Sequence, residues 1–418
     1  MAERTEDVEG FQETANYSAA HCQPGDDADL KDLASFDPNE AMSELEAAYE
    51  DEFEISLRHI RRCPKQGRHG EFIPIREFSI DNLDPPYKDE SIVELVKKMA
   101  ALTVRLQVRK LSTIRPEPPY PPDRRVNAKG AACVINGTGF VDNAFIITED
   151  SGKLCPCREC KESGSPRTRW GKVDIKTAGH VVHDCFEAEE TICYFDFDED
   201  GTDPASIPSL IGSKDSVGVC SHADDQFKVI FYTHDIDFAE KLRKLADTFT
   251  VQQQILVRKH HRGSDSQVPD VNFYHKVVDL LCSKIANGDS AAQTLHLAFD
   301  HFGGMLNARV QEHCPTIPSN MQTAGSLVIV VSHPHGCGKY VSLGQFNSRK
   351  TLPNDFDPGS GDWLVKSFYL YTTHTCPGSS GAPVFILSKE RLGKVCSQVH
   401  SKFMSKFGLS RSGFSLEM

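Results

Sequence analysis

Nine consecutive residues, Pro377-Gly378-Ser379-Ser380-Gly381-Ala382-Pro383-Val384-Phe385, constrain this chain more than any other stretch. A serine with glycine two places before and one place after it, then proline and a β-branched residue, describes a tight turn running into a strand. Glycine serves where the backbone must take unusual dihedrals or approach another group closely. Such a turn can present Ser380 Oγ outward while the N–H groups of Gly378 and Ser380 point to one spot. The turn residues Gly378, Ser379 and Ser380 are therefore a candidate oxyanion-binding loop, with Ser380 as candidate nucleophile. Gly-Ser-Ser-Gly also occurs in ordinary turns, so the chemical reading requires a base and an orienting acid elsewhere.

Candidates for both lie upstream. Val173-Asp174-Ile175-Lys176-Thr177-Ala178-Gly179-His180 reads as a short strand entering a turn, with His180 at its end. Val229-Ile230-Phe231-Tyr232-Thr233-His234-Asp235 is an apolar strand that reaches Asp235, with Asp237 as a competing acid. A buried carboxylate holds an imidazole tautomer and stabilises the imidazolium. A single histidine among 17 is usually a surface or core residue. Histidine, aspartate and serine in that order, each in a fitting local setting, make a Ser380–His180–Asp235 triad the stronger reading.

Gly137-Thr138-Gly139-Phe140-Val141, Thr177-Ala178-Gly179-His180, Thr233-His234-Asp235-Ile236 and Gly378-Ser379-Ser380-Gly381-Ala382-Pro383 together resemble the chymotrypsin-like serine peptidases over roughly residues 125 to 405. The resemblance implies a mainly β fold of two antiparallel six-stranded β-barrels with the site between them. His180 would be the general base, Asp235 its orienter, preferred to Asp237 for its following Ile236, and Ser380 the nucleophile. The same pattern puts His374 at the base of the primary specificity pocket, with Thr375 beside it and His400 on the pocket wall. A wall histidine resembles the peptidases that read Glu or Gln. Otherwise both histidines make structural hydrogen bonds.

The chain departs from the secreted members at three points. Ser379 stands where they carry the aspartate that captures a new N-terminus, and Val181 replaces the cysteine after the catalytic histidine. Cys376 falls on a family cysteine position, yet no cysteine follows Cys396 to serve as the usual partner. In these respects the chain is more similar to intracellular and high-temperature-requirement-type relatives.

Composition agrees. The 418 residues exceed one typical domain, and 39% hydrophobic content supports a sizeable core. The first residues show no basic and apolar signal pattern, and no stretch is apolar enough to span a bilayer. Fourteen cysteines in that setting read as reduced thiols or metal ligands, so an intracellular, cytoplasmic setting is expected of the sequence.

Charge is concentrated at one end. Residues 1–60 hold 17 acidic and 3 basic residues, which accounts for the whole net charge of −13. An acidic, apolar-poor tail of that kind is expected to be largely disordered. Within it Asp37-Pro38 looks like a helix start, with Met42, Leu45, Tyr49 and Phe53 at helical spacing, either a transient helix or a docking helix for a protein partner. Neither nucleic acid nor membrane is an expected partner, since no basic-aromatic stripe interrupts the acidic balance.

Residues 61–88 read as a linker, and 89–112 as an amphipathic helix with Ile92, Leu95, Met99, Leu102 and Leu106 on one face. Together these make a 61–124 connecting region, closed by the proline-rich break at Pro116–Pro122, with strands dominating from about Ala131. A peptidase-like domain then spans 125–418. Asp235 and Ser380 are 145 positions apart, and apolar residues at helical intervals predict a helical insertion at about 238–320.

Two features remain. His333-Pro334-His335-Gly336 suggests metal ligands, but a structural turn after the apolar strand is the preferred reading. Cys155-Pro156-Cys157-Arg158-Glu159-Cys160 brings three thiols within six residues. They are either free loop cysteines or ligands of a structural zinc, with Cys185 as the fourth and His183 or Cys193 as alternatives. Catalysis itself would need no cofactor. The expected protein is an intracellular serine endopeptidase acting on a protein or peptide substrate. The alternative is a catalytically silent module of the same fold that binds peptides or scaffolds a complex.

Overall fold

Leu327, Ile329 and Val331 face one core while Val328 and Val330 face another, so the strand Ser326–Ser332 is buried on both sides. Alternating side chains leave a strand on opposite faces, which is why the near-continuous apolar run at 327–331 forms a central strand and not an edge. A computed structural model describes residues 42–43, 46–48, 60–115, 134–221, 224–260, 326–351, 355–356, 363–388, 394–404, 408–413 and 415–417. The expected helical insertion beyond His260, and the acidic tail apart from 42–43 and 46–48, lie outside the described residues.

Among the described residues the chain is mainly β, in two antiparallel sheets of eight and eleven strands, some only two or three residues long. The path of the first sheet runs Ser209–Ile211, Thr191–Tyr194, Thr103–Val108, Val134–Ile147, Trp170–Thr177, Gln226–Thr233 and Val217–Ser221. The second places Pro383–Ser388 between Ser326–Ser332 and Lys394–Met404, and so carries the segment that follows Ser380 into its centre. All these strands belong to one unit, residues 39–418.

The strand Gln226–Thr233 shows the sequence logic clearly. Phe227, Val229, Phe231 and Thr233 are buried, and the residues between them are only partly so. It pairs antiparallel with Trp170–Thr177, with Phe227 opposite Thr177 and Thr233 opposite Gly171. This register puts the start of one strand beside the end of the other, and it decides the site.

The expected helix over 89–112 is shorter than its apolar pattern. It runs from Glu90 to Leu102 behind an Asp89 cap that accepts from Ser91 N–H at 3.0 Å. Ile92, Leu95, Val96 and Met99 are buried, each contributing roughly 1.5–3 kcal/mol. From Thr103 to Val108 the chain is a central strand, so strands begin well before Ala131. The β-branched Thr103, Val104 and Val108 fit a strand buried on both faces, and full burial had masked the change of period.

The segment read as a linker is packed, with Phe78, Leu83 and Tyr87 buried and Ile73–Pro74 paired to Tyr340–Val341. Of the helix expected to start at Asp37-Pro38, only 42–43 and 46–48 lie within the described residues, and they are not helical. Met42–Ser43 and Glu46–Ala48 are short strands that pair with Lys402–Phe403 and Val134–Asn136. Ile236–His260 is helical and packs Leu242 and Phe249 into the main core, at the start of the expected insertion.

Candidate active site and metal centres

Ser380 lies in the turn between the strands Trp363–Tyr371 and Pro383–Ser388. Two glycines shape that turn. Gly378 has φ 92° and Gly381 φ 89°, and a Cβ on Gly381 would sit 2.0 Å from Thr138 O. Thr138, from the first sheet, fastens the turn. Its N–H donates to Ser380 O at 2.9 Å and its Oγ1 donates to Gly378 O at 2.8 Å. The Gly-Thr-Gly strand and the nucleophile turn are therefore in direct contact.

His180 follows the strand Trp170–Thr177, and its Nε2 is 2.8 Å from Ser380 Oγ. Its Nδ1 is 2.9 Å from both oxygens of Asp225, whose Oδ1 also accepts from the His180 backbone N–H at 3.0 Å. A carboxylate can only accept, so Nδ1 carries a proton, and Nε2, when unprotonated, accepts from the Ser380 hydroxyl. Ser401 Oγ donates to Asp225 Oδ2. Burial pushes the Asp225 carboxyl up, but the charge of His180 and hydrogen bonds from His180 and Ser401 outweigh it and hold the carboxyl at about 2.

The acid beside His180 is thus Asp225, and neither Asp235 nor Asp237 takes that place. Asp235 sits past the other end of an eight-residue strand, which alone spans about 26 Å. There it caps the helix Ile236–His260 by accepting from Phe238 N–H at 2.9 Å. His180 closes one strand, and an antiparallel neighbour brings its first residues to that point. The available signal was the Asp224-Asp225 pair immediately before Gln226.

The His180 turn is anchored from below. Arg115 donates to His180 O at 2.9 Å and to both oxygens of the fully buried Glu187, at 2.9 and 2.7 Å. Glu187 also accepts the backbone N–H groups of Ser112 and His183. Sequence reading missed Asp225, Ser401, Arg115 and Glu187, because each owes its role to long-range contacts.

Of the three residues expected to form the oxyanion loop, Ser379 differs. Its N–H donates to Cys376 O at 2.9 Å, and its hydroxyl meets Ser332 Oγ at 3.1 Å. Gly378 and Ser380 remain the pair that the turn can direct at a substrate. Among the expected pocket residues, His400 pairs through its backbone with the nucleophile strand: Gly381 N–H donates to its carbonyl at 2.8 Å. Its Nδ1 is 2.7 Å from the hydroxyl of buried Tyr371. His374 packs on Phe72, ring centroids 4.8 Å apart, with Nε2 3.6 Å from Cys376 Sγ. Thr375 Oγ1 is 3.0 Å from Ser410 Oγ.

Two groups of ligand-type side chains converge elsewhere. Cys155, Cys157 and Cys160 meet His234, whose Nε2 lies 3.4, 3.4 and 3.2 Å from the three sulfurs. Cys185, the expected fourth ligand, is exposed at the start of the helix Cys185–Glu189, and neither it nor His183 nor Cys193 belongs to this group. The end of the strand Gln226–Thr233 delivers His234 to the cysteine loop, which spacing within the loop could not reveal. Cys155 and Cys160 are buried against Trp170, and burial pushes the Cys155 thiol up to about 12. The second group, Cys63, His69, His335 and Cys376, adjoins the nucleophile turn.

No family model and no curated protein matches the sequence. Among solved structures, the chain is similar to the Rv3671c protease of M. tuberculosis in its active form, at 12% identity and TM-score 0.31, covering 78% of this chain and 82% of that one. It is also similar to a serine endoprotease from Yersinia pestis, at 11% identity and TM-score 0.29, over 76% and 60% of the two chains. The HtrA-type protease AlgW with a decapeptide gives 11% and 0.29, over 78% and 63%. All three neighbours are proteases. At such overlap the functional reading stands on the geometry of His180, Asp225 and Ser380 themselves.

Among the described residues no helix is long and apolar enough to cross a membrane.

Proposed function

We propose that this chain is a two-barrel serine endopeptidase of a reducing, intracellular compartment, acting through Ser380, His180 and Asp225. The observation that carries the reading is the continuous relay of 2.8 Å from Ser380 Oγ to His180 Nε2 and 2.9 Å from His180 Nδ1 to Asp225. In the proposed reaction, His180 Nε2 takes the Ser380 proton as Oγ attacks the scissile carbonyl, and Asp225 stabilises the imidazolium. The N–H groups of Gly378 and Ser380 bind the developing oxyanion. The imidazolium then protonates the leaving amine, and water repeats the sequence to release the acyl group. With Ser379 tied to Cys376 and Ser332, the site needs no new N-terminus to become competent.

For the substrate, we propose a preference for Glu or Gln before the scissile bond. It is supported by the Tyr371–His400 hydrogen bond, which fixes the ring. With the phenol donating to Nδ1, the ring proton sits on Nε2, the atom this proposal assigns to a carboxylate or amide oxygen of the substrate. A lysine ammonium would meet another donor at that atom.

We propose further that Cys155, Cys157, Cys160 and His234 hold a structural zinc. A tetrahedral zinc separates sulfur and nitrogen ligands by about 3.5 Å, and the sulfurs here lie 3.2–3.4 Å from His234 Nε2. His234 Nδ1 is 3.5 Å from Glu159 Oε2, the kind of carboxylate that orients a metal-bound imidazole.

The test is labelling by a fluorophosphonate, which reacts with an activated serine. Intact full-length protein should label and cleave peptides, and Ser380→Ala and His180→Ala should do neither. Labelling that persists in Ser380→Ala would sink the assignment.

A further inference from the structure

Cys376 lies four residues before Ser380, and its thiol is not isolated. Cys63 Sγ is 3.7 Å from Cys376 Sγ although 313 positions separate the two in sequence. His69 Nε2 is 3.4 Å from the same sulfur. His335 completes the group, with its ring centroid 5.3 Å from that of His69. One ligand atom from each of the four residues lies within 4.8 Å of the other three. Cys63, His335 and Cys376 are buried and His69 is half-buried.

These spacings match one ion. A tetrahedral zinc with Zn–S of about 2.3 Å and Zn–N of about 2.0 Å sets two sulfurs about 3.8 Å apart and sulfur and nitrogen about 3.5 Å apart. Two thiols and two imidazoles form a donor set suited to zinc rather than to calcium or magnesium, which favour oxygen. Both cysteines are free thiols, so a disulfide does not account for their approach.

The backbone supports the same reading. His335 has φ 56°, a left-handed conformation that a non-glycine residue keeps only when its surroundings hold it there. The 60–72 segment is brought to the nucleophile loop by other contacts as well: Lys65 Nζ donates to Thr375 O at 2.8 Å.

We infer that Cys63, His69, His335 and Cys376 form a second zinc site, distinct from the Cys155 cluster, that ties the 60–72 segment to the nucleophile turn. Its effect on that turn follows from the contacts around it. His335 N–H donates to Pro377 O at 2.6 Å, and a Cβ on Gly378 would lie 2.8 Å from His335 N. The ion would hold the Pro334–Gly336 turn against Gly378 and so fix the N–H assigned to the oxyanion. This positioning role rests on the serine-nucleophile reading. The presence of the ion does not, and metal content tests it apart from activity.

The full-length chain, purified without chelators, should carry about two zinc ions by elemental analysis. Cys63→Ser should leave about one, Cys157→Ser should leave the other, and the double variant should hold none. Should Cys63→Ser fail to fold, His69→Ala alters a half-buried ligand at the edge of the group and should also lower the content to about one. Cobalt-reconstituted wild-type protein should show tetrahedral thiolate–cobalt absorption that falls in His69→Ala and persists in part in Cys157→Ser. Zinc content unchanged in both Cys63→Ser and His69→Ala overturns the inference. So does a Cys63–Cys376 disulfide in natively isolated protein, seen by peptide mass.

Discussion

Asp225→Asn separates the site seen in three dimensions from the one the sequence suggested. An asparagine fits the same space, but its amide N–H₂ can face His180 Nδ1 as a donor. The ring proton would then move to Nε2, where it could no longer accept from Ser380. Loss of the orienting acid with geometry intact lowers turnover about 10⁴-fold, or about 5 kcal/mol of transition-state stabilisation. The same change should affect folding. The carboxyl is held at about 2 against an ordinary 3.8, and that difference corresponds to a contribution on the order of 2 kcal/mol at neutral pH. Asp235→Asn is the matched control. Asp235 caps a helix, and asparagine caps about as well as aspartate, so stability should change by under about 0.5 kcal/mol and turnover hardly at all. The assay is peptide turnover and fluorophosphonate labelling rate beside urea denaturation for wild type and both variants. If Asp225→Asn keeps more than about a tenth of wild-type turnover, or Asp235→Asn loses most of it, the relay has been misassigned.

Other expectations follow from the same contacts. Arg115→Ala strands the fully buried Glu187 and should cost about 3–5 kcal/mol in urea denaturation, with Arg115→Lys restoring only part because it cannot make the paired contact; a loss under about 1 kcal/mol refutes the anchoring role. Because the Asp225 carboxyl is depressed in the folded state, its contribution is present above its unfolded value and is lost as pH falls through about 2. The stability gap between wild type and Asp225→Asn should therefore close between about pH 4 and pH 2, and a gap independent of pH counts against the ion pair. His400→Ala should lose about tenfold or more of the Glu and Gln preference while a small fluorophosphonate still labels Ser380, with Tyr371→Phe intermediate; cleavage profiles dominated by Lys or Arg in the wild type would remove the pocket assignment.

What the sequence determined by itself was whatever depends on local backbone requirements. The two glycines around Ser380 had to be glycines, since both take positive φ and one abuts Thr138. The alternating apolar residues of Gln226–Thr233 and the apolar run of Ser326–Ser332 made strands, and three thiols in six residues marked a candidate metal loop. Which partner meets each of these was decided only by tertiary structure. Strand pairing sends Asp225, and not Asp235, to His180, because an antiparallel register brings the beginning of one strand to the end of its neighbour. The opposite end of the same strand carries His234 to the cysteines in place of Cys185. Cys63 reaches Cys376 across 313 positions, a contact that no local spacing encodes. Local spacing fixes backbone shape, but ligands and catalytic acids are chosen by distances between segments, and those exist only once the two sheets have formed.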